Sequence, residues 1–172
     1  MNNSLCCAVI GASVMRFPWG FDEEAAGCQE LKLELAQKIM ELCQQGVKCF
    51  AVVADCGVGL YAGEIVNALR RADADLTLFV VAPYEEQATK WAPYLRERYF
   101  MLLENCTSME LARVHRTPDC EFDAYRRIID CADMVLAVGD LHSAKGDAAD
   151  RGIAYAKTKH LAIMLIPPVS GR

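Results

Sequence analysis

Leu76-Thr77-Leu78-Phe79-Val80-Val81-Ala82-Pro83-Tyr84-Glu85-Glu86-Gln87-Ala88-Thr89-Lys90-Trp91 joins an apolar run to a cluster of proline, aromatic, acidic and amide side chains. The run through Val81 reads as a buried strand, since a short apolar stretch rich in branched residues suits a strand covered on both faces. The cluster behind it is expected to open a helix. In an open parallel sheet, ligands sit outside the C-terminal ends of the strands. Pro83, Tyr84 and Gln87 are therefore candidate ligand contacts.

Five more apolar segments read as strands: 5–10, 48–53, 111–115, 134–138 and 161–166. Helical patterns lie between them. Cys28, Leu31, Leu35, Ile39 and Leu42 recur at three-to-four spacing and mark one apolar face of a long first helix. Gly46 stands where that helix should stop, and Glu34 with Lys38 is expected to pair on its outer face. Tyr61, Ile65, Leu69 and Ala72 mark a second helix, and a third is expected from about Tyr84 to Glu104 with a break at Pro93. Two more are expected over 120–131 and 147–158. Strand–helix alternation predicts an α/β, Rossmann-like, doubly wound and mostly parallel sheet of five to six strands with helices on both faces. No linker or repeat divides the 172 residues, which suggests a single domain over 1–172.

The net charge of −5 gives no electrostatic basis for non-specific nucleic-acid binding. Arg113, Arg116, Arg126 and Arg127 lie close enough in sequence to form a local basic pocket. Nine cysteines, an odd count without a Cys-x-x-Cys pair, fit free thiols better than a disulfide framework. A metal site is not expected. The start of the chain lacks a basic leader and no apolar run reaches bilayer length, so a cytoplasmic protein away from membranes is the expectation.

Several residues have the chemistry of a ligand site. Gly11, followed by Ala12 and Ser13, comes directly after the first strand, where a Rossmann-type fold approaches a phosphate; a plain tight turn explains Gly11 equally well. Gly57-Val58-Gly59 opens the second helix, and successive N–H groups there suit an anion. Asp55 before them would repel a phosphate and fits either a helix cap or a ribose hydroxyl. Glu64, Asp140, Gly146 and Asp147 are further polar candidates, with ordinary helix-surface or loop roles as the alternative. Trp19 and Trp91 either stack on a base or fill the core. Cys56, near a helix start, is a candidate for a lowered thiol pKa. Gly11, Gly57 and Tyr84 are expected to line one crevice.

Together these segments resemble the YpsA-like branch of the SLOG superfamily, the Rossmann-like group that includes DprA and the LOG cytokinin-activating enzymes. Phe17-Pro18-Trp19-Gly20-Phe21-Asp22-Glu23 is similar to the family's Leu-Pro-Trp-Gly-Tyr-Asp-Glu loop. The stretch from Gly57 to Val66 is similar to its Gly-Val-Asp-Leu-Trp-Ala-Ala-Glu-Ile-Val helix start. Pro83 to Trp91 is similar to its third-strand signature. The departures fall on polar positions. The family's Thr-Gly-His-Arg reads Ile10-Gly11-Ala12-Ser13 here, its Gly-Met-Ala-Leu-Gly-Val-Asp reads Val53 to Gly59, and its Arg-Asn pair reads Ala124-Tyr125. Its Gly-Gly-Thr loop gives way to Lys145-Gly146-Asp147. Losing His and Arg removes donors that would hold a phosphate.

The resemblance implies a non-enzymatic binding or regulatory protein for a nucleotide or nucleotide-derived small molecule, with no cofactor required. The alternative it implies is a LOG-like nucleoside 5'-monophosphate phosphoribohydrolase, although the Gly-Gly-x-Gly-Thr-x-x-Glu loop of that activity is absent. A homodimer or protein partner is compatible with the resemblance. A DprA-like role on single-stranded DNA is disfavoured by charge and size.

Overall fold

A computed structural model describes residues 4–139 and 146–167. Six strands alternate with five α-helices: β1 Leu5–Gly11, α1 Ala26–Gln44, β2 Val47–Val53, α2 Val58–Arg70, β3 Thr77–Tyr84, α3 Pro93–Asn105, β4 Ser108–Arg113, α4 Cys120–Asp130, β5 Met134–Val138, α5 Ala148–Thr158 and β6 Ala162–Ile166. A short 3₁₀ turn, Val14–Arg16, follows β1. All the strand pairs are parallel and the order is β4-β3-β2-β1-β5-β6. The chain winds outward from β1 to β4, then returns to lay β5 on the other side of β1. That reversal makes the β1–β5 border the topological switch point, where the ends of the strands leave a crevice.

Strand alternation sorts the core into two layers. Cys7 and Val9, Phe50 and Val52, and Leu78 and Val80 point toward α1, α2 and α3. Cys6, Ala8 and Ile10, with Ala51, Val53 and Val81, point toward α4 and α5. The first helix buries Cys28, Leu31, Leu35, Ile39 and Leu42, the face its spacing predicts. Gly46 follows its end with φ +98°, a left-handed turn that favours glycine.

Four expectations need correction. The Pro83–Trp91 cluster opens no helix: β3 continues to Tyr84, which pairs with Arg113 of β4, and α3 starts only at Pro93. Pairing with β4 holds the strand extended, and proline suits the first helical position because it has no N–H to leave unbonded there. The fourth strand is 108–113, earlier than expected, because this largely exposed edge strand mixes polar and apolar residues and lacks an apolar run. The second helix buries Val58, Leu60, Tyr61, Ala62 and Val66, a face rotated from the expected Tyr61–Ile65–Leu69 line. Lys38 pairs with Glu41 at 3.2 Å instead of with Glu34. Among the described residues, no helix is long and apolar enough to cross a membrane.

Candidate functional site

Two glycines let α2 sit tightly on the sheet. A Cβ on Gly59 would lie 1.9 Å from the Val53 carbonyl oxygen, and one on Gly11 would lie 2.2 Å from Val58 Cβ. Both distances are impossible for a side chain, so these glycines serve close helix–sheet approach, as the third glycine of a dinucleotide fingerprint does. The start of α2 is thereby brought to the end of β1, and a cleft of about 210 Å³ opens there.

Elements distant in sequence converge on this cleft. β1 supplies Gly11 and the turn behind it Ser13 and Val14, while the end of β2 supplies Asp55, Cys56 and Gly57. Pro83, Tyr84, Gln87 and Trp91 come from the end of β3 and the following turns. Glu121 and Tyr125 of α4 face them, and Asp147 with Ala148 closes the wall at the start of α5. Gly11, Gly57 and Tyr84 thus share one crevice. Among the described lining residues there are three carboxylates, Asp55, Glu121 and Asp147, and no lysine, arginine or histidine.

The helix starts facing the cleft are occupied by the chain's own acids. Asp55 Oδ1 accepts the N–H groups of Gly57 at 2.9 Å and Leu60 at 3.2 Å. Asp147 Oδ1 accepts the Asp150 N–H at 2.9 Å, and its other oxygen takes Arg16 Nη1 at 2.7 Å. These carboxylates stand where a bound phosphate would otherwise collect N–H donors. Burial pushes the Asp55 carboxyl up to about 6 against the bonds from the backbone, which favour its ionised form. Burial likewise pushes the Cys56 thiol up to about 11, correcting the expectation that the helix start lowers it. Tyr125 donates its hydroxyl to the Gly11 carbonyl at 2.9 Å, and burial raises its pKa. Gln87 Oε1 is buried without a hydrogen-bond partner, which marks it as a group a ligand donor would satisfy.

Other candidates lie elsewhere. Ala12 is buried behind the cleft, its N–H bonded to Val138, and Gly59 is covered by β2. Trp19 stacks on Phe17 at 4.8 Å and 4°, packed against the core outside the cleft. Glu64 lines a separate depression beside α3, where it pairs with Arg98. Gly146, with φ +74°, is the turn that delivers Asp147. Asp140 and Lys145 lie outside the described residues. Arg113, Arg126 and Arg127 do converge on a shallow depression, but Asp123 and Asp130 line it too, and Arg113 bonds Asp123 at 2.8 Å. Among the described residues, no group of three histidine, cysteine or acidic side chains is placed to hold a metal ion.

Glu121 and Val14 complete the cleft although the motifs did not single them out, and Trp91, open between stacking and core in the sequence, lines it too. Tyr125 had a signal: it stands in the pair that replaces the family's Arg-Asn. The aromatic side chain now fills that place and ties α4 to the end of β1.

The sequence profile of the YpsA family, described as the YspA SLOG family, matches residues 7–165. A UPF0398 protein of Halalkalibacterium halodurans is 31% identical over 84 residues, 49% of this chain and 44% of that protein. UPF0398 proteins of Bacillus cereus and Bacillus thuringiensis are each 26% identical over 122 residues, 70% of this chain and 66% of theirs. The chain thus spans less than two thirds of the length of these relatives. The matched profile runs from β1 to β6 and takes in every element that builds the cleft, so the chain belongs to the YpsA family of SLOG proteins.

Proposed function

We propose that this chain is a non-enzymatic ligand-binding or regulatory protein whose cleft takes a nucleoside-like part of a nucleotide-derived molecule, by its base and sugar instead of its phosphate. The carrying observation is the charge of the wall: three carboxylates line it, no cation does among the described residues, and two of the acids cap the helix starts. An added phosphate would meet repulsion there and find the N–H donors taken. Neutral hydroxyl and amine donors suit the same wall. Asp55 and Asp147 accept from sugar hydroxyls, Gln87 reads a base edge, and Tyr84 or Trp91 offers a face for stacking. The volume of about 210 Å³ lies below the usual range for drug-sized ligands, so a base and sugar fit the space better than a whole dinucleotide. A LOG-like hydrolase needs an arginine converging on a glutamate; among the described lining residues Glu121 has no arginine beside it.

A thermal-shift titration with adenosine, guanosine, cytidine, AMP, ATP, NAD and ADP-ribose tests this reading. A ligand at 100 times its dissociation constant adds about 2.7 kcal/mol of stability. A nucleoside is expected to shift the melting point further than its 5'-phosphate at equal concentration. A larger shift with the phosphate would refute the charge reasoning. No shift with any of them would overturn the nucleoside assignment and turn attention to a protein partner.

A further inference from the structure

At the opposite edge of the sheet from the cleft, three thiols come together. Cys6 and Cys49 are register partners on the adjacent parallel strands β1 and β2, with sulfurs 2.9 Å apart. Neighbouring strands run about 4.8 Å apart, inside the Cα separation a disulfide spans. The third thiol, Cys131, ends α4 and is exposed, whereas Cys6 is buried. Its position is set by a two-way clamp: Cys6 N–H donates to Asp133 Oδ2 at 2.8 Å, and Asp133 N–H returns a bond to the Cys6 carbonyl at 2.8 Å. Cys131 lies two residues before that clamp; its thiol donates to the Ile128 carbonyl at 3.1 Å, and hydrogen bonding with Cys6 lowers its pKa.

We infer that Cys131, Cys6 and Cys49 form an oxidation site in which the exposed Cys131 meets hydrogen peroxide and the electrons come finally from the Cys6–Cys49 pair. A solvent-accessible thiol poised beside a resolving thiol is the arrangement of redox-sensing cysteines. The Cys131 thiolate attacks a peroxide oxygen. The O–O bond breaks, one oxygen stays as the sulfenic acid, and the other leaves and is protonated to water. Cys6 passes its proton to the Cys49 thiolate beside it and attacks the sulfenic sulfur, forming an S–S bond and expelling hydroxide, which is protonated to a second water. Cys49 attacks the Cys6 sulfur in turn, which leaves a Cys6–Cys49 disulfide and returns Cys131 to the thiol with the proton from Cys49. Two thiols and one peroxide thus give one disulfide and two waters.

Proton sharing inside the cluster agrees with this division. Hydrogen bonding to its two neighbours holds the proton on Cys6, and the bonds from Cys6 lower Cys131 and bring Cys49 to about 7. The carboxylates of Asp130 and Asp133 act against the thiolates. A thiol near neutrality combines thiolate content with nucleophilicity.

The test treats the wild-type protein with hydrogen peroxide, alkylates it under denaturing conditions and maps the peptides. The expected product has one Cys6–Cys49 disulfide, a mass lower by about 2 Da before alkylation, and Cys131 still alkylated. Cys131→Ser, a change at an exposed position, is expected to slow disulfide formation at least roughly tenfold. In Cys6→Ser, Cys131 sulfenic acid is expected to accumulate and react with dimedone. A disulfide elsewhere, or Cys6 and Cys49 remaining alkylated in the wild type, overturns the inference without recourse to any variant. An unchanged rate in Cys131→Ser overturns the entry role of Cys131.

Discussion

Replacing Asp55 by asparagine is expected to stabilise the protein above neutral pH and to leave its stability unchanged in acid. The carboxyl rises from its ordinary 3.8 to about 6 in the folded chain because it is buried, even though Gly57 and Leu60 donate to it. At about 1.4 kcal/mol for each tenfold in proton affinity, that rise corresponds to a cost of ~3 kcal/mol once the group is ionised. Water at the open cleft screens part of it, so ~3 kcal/mol is an upper bound. The folded state binds the proton more tightly than the unfolded state, so stability from this group is highest below pH 4. It falls as pH rises through about 6 and then stays level. The asparagine side chain keeps an oxygen for the same two N–H groups and carries no charge, so the variant's curve lacks that fall. Urea midpoints of the two proteins from pH 4 to pH 8.5 measure the difference. They should coincide near pH 4 and separate to about 2–3 kcal/mol above pH 7 in favour of Asp55→Asn. A variant that is less stable at pH 8, or a gap independent of pH, would show that the backbone bonds to the carboxylate outweigh its burial.

Gly59→Ala is expected to destabilise by more than about 2 kcal/mol, since its Cβ would sit 1.9 Å from a backbone oxygen that cannot rotate away; chemical denaturation measures it. Tyr125→Phe removes the bond to the Gly11 carbonyl at 2.9 Å and should cost about 1 kcal/mol, with no effect on the packing of the ring against Gly152. Arg98→Leu breaks the pairs with Glu23 and Glu64 and should cost about 1 kcal/mol at pH 7. Burial favours the neutral form of Glu23, but the bonds from Arg98 and Lys32 outweigh it and hold the carboxyl below its usual range. That part of the stability is present above pH 4.5 and lost in acid as Glu23 is protonated, so the gap between wild type and Arg98→Leu should close there. A constant gap across pH would point to packing by the arginine stem instead.

The strands that read correctly from sequence are those with an apolar side chain on both faces. Residues 134–138 form a central strand covered by helices above and below, and its bounds match the apolar run. At the β4 edge of the sheet the same logic fails. Ser108-Met109-Glu110-Leu111-Ala112-Arg113 is a strand because β3 pairs with it, and its own residues are largely exposed. That pairing, invisible in the local pattern, also carries β3 through Pro83 to Tyr84 and turns an expected helix start into a strand end. The position of the cluster at a strand's C-terminal end did not depend on which element followed, so Pro83, Tyr84 and Gln87 reach the cleft all the same.

Site residues divide in a similar way. Those at strand ends follow from topology alone, because every parallel strand delivers its last residues to one edge. Glu121 and Tyr125 come from the first two turns of a helix, and nothing in their spacing says which face meets β1. The contrast between Glu64 and Asp55 is the more instructive one. Asp55 precedes α2 and Glu64 lies midway along it, yet Glu64 finds a cation on α3 while Asp55 takes the helix's own N–H groups. An acid paired with arginine stabilises the fold and explains itself. Asp55 is held buried at a cost, in a cleft beside an unpartnered Gln87 oxygen, and a polar group so placed is a candidate for function. The helix start that would bind a phosphate elsewhere in this type of fold is here turned into an acceptor. On the function proposed above, that inversion selects a ligand that brings donors, as the neutral sugar and base edge of a nucleoside do.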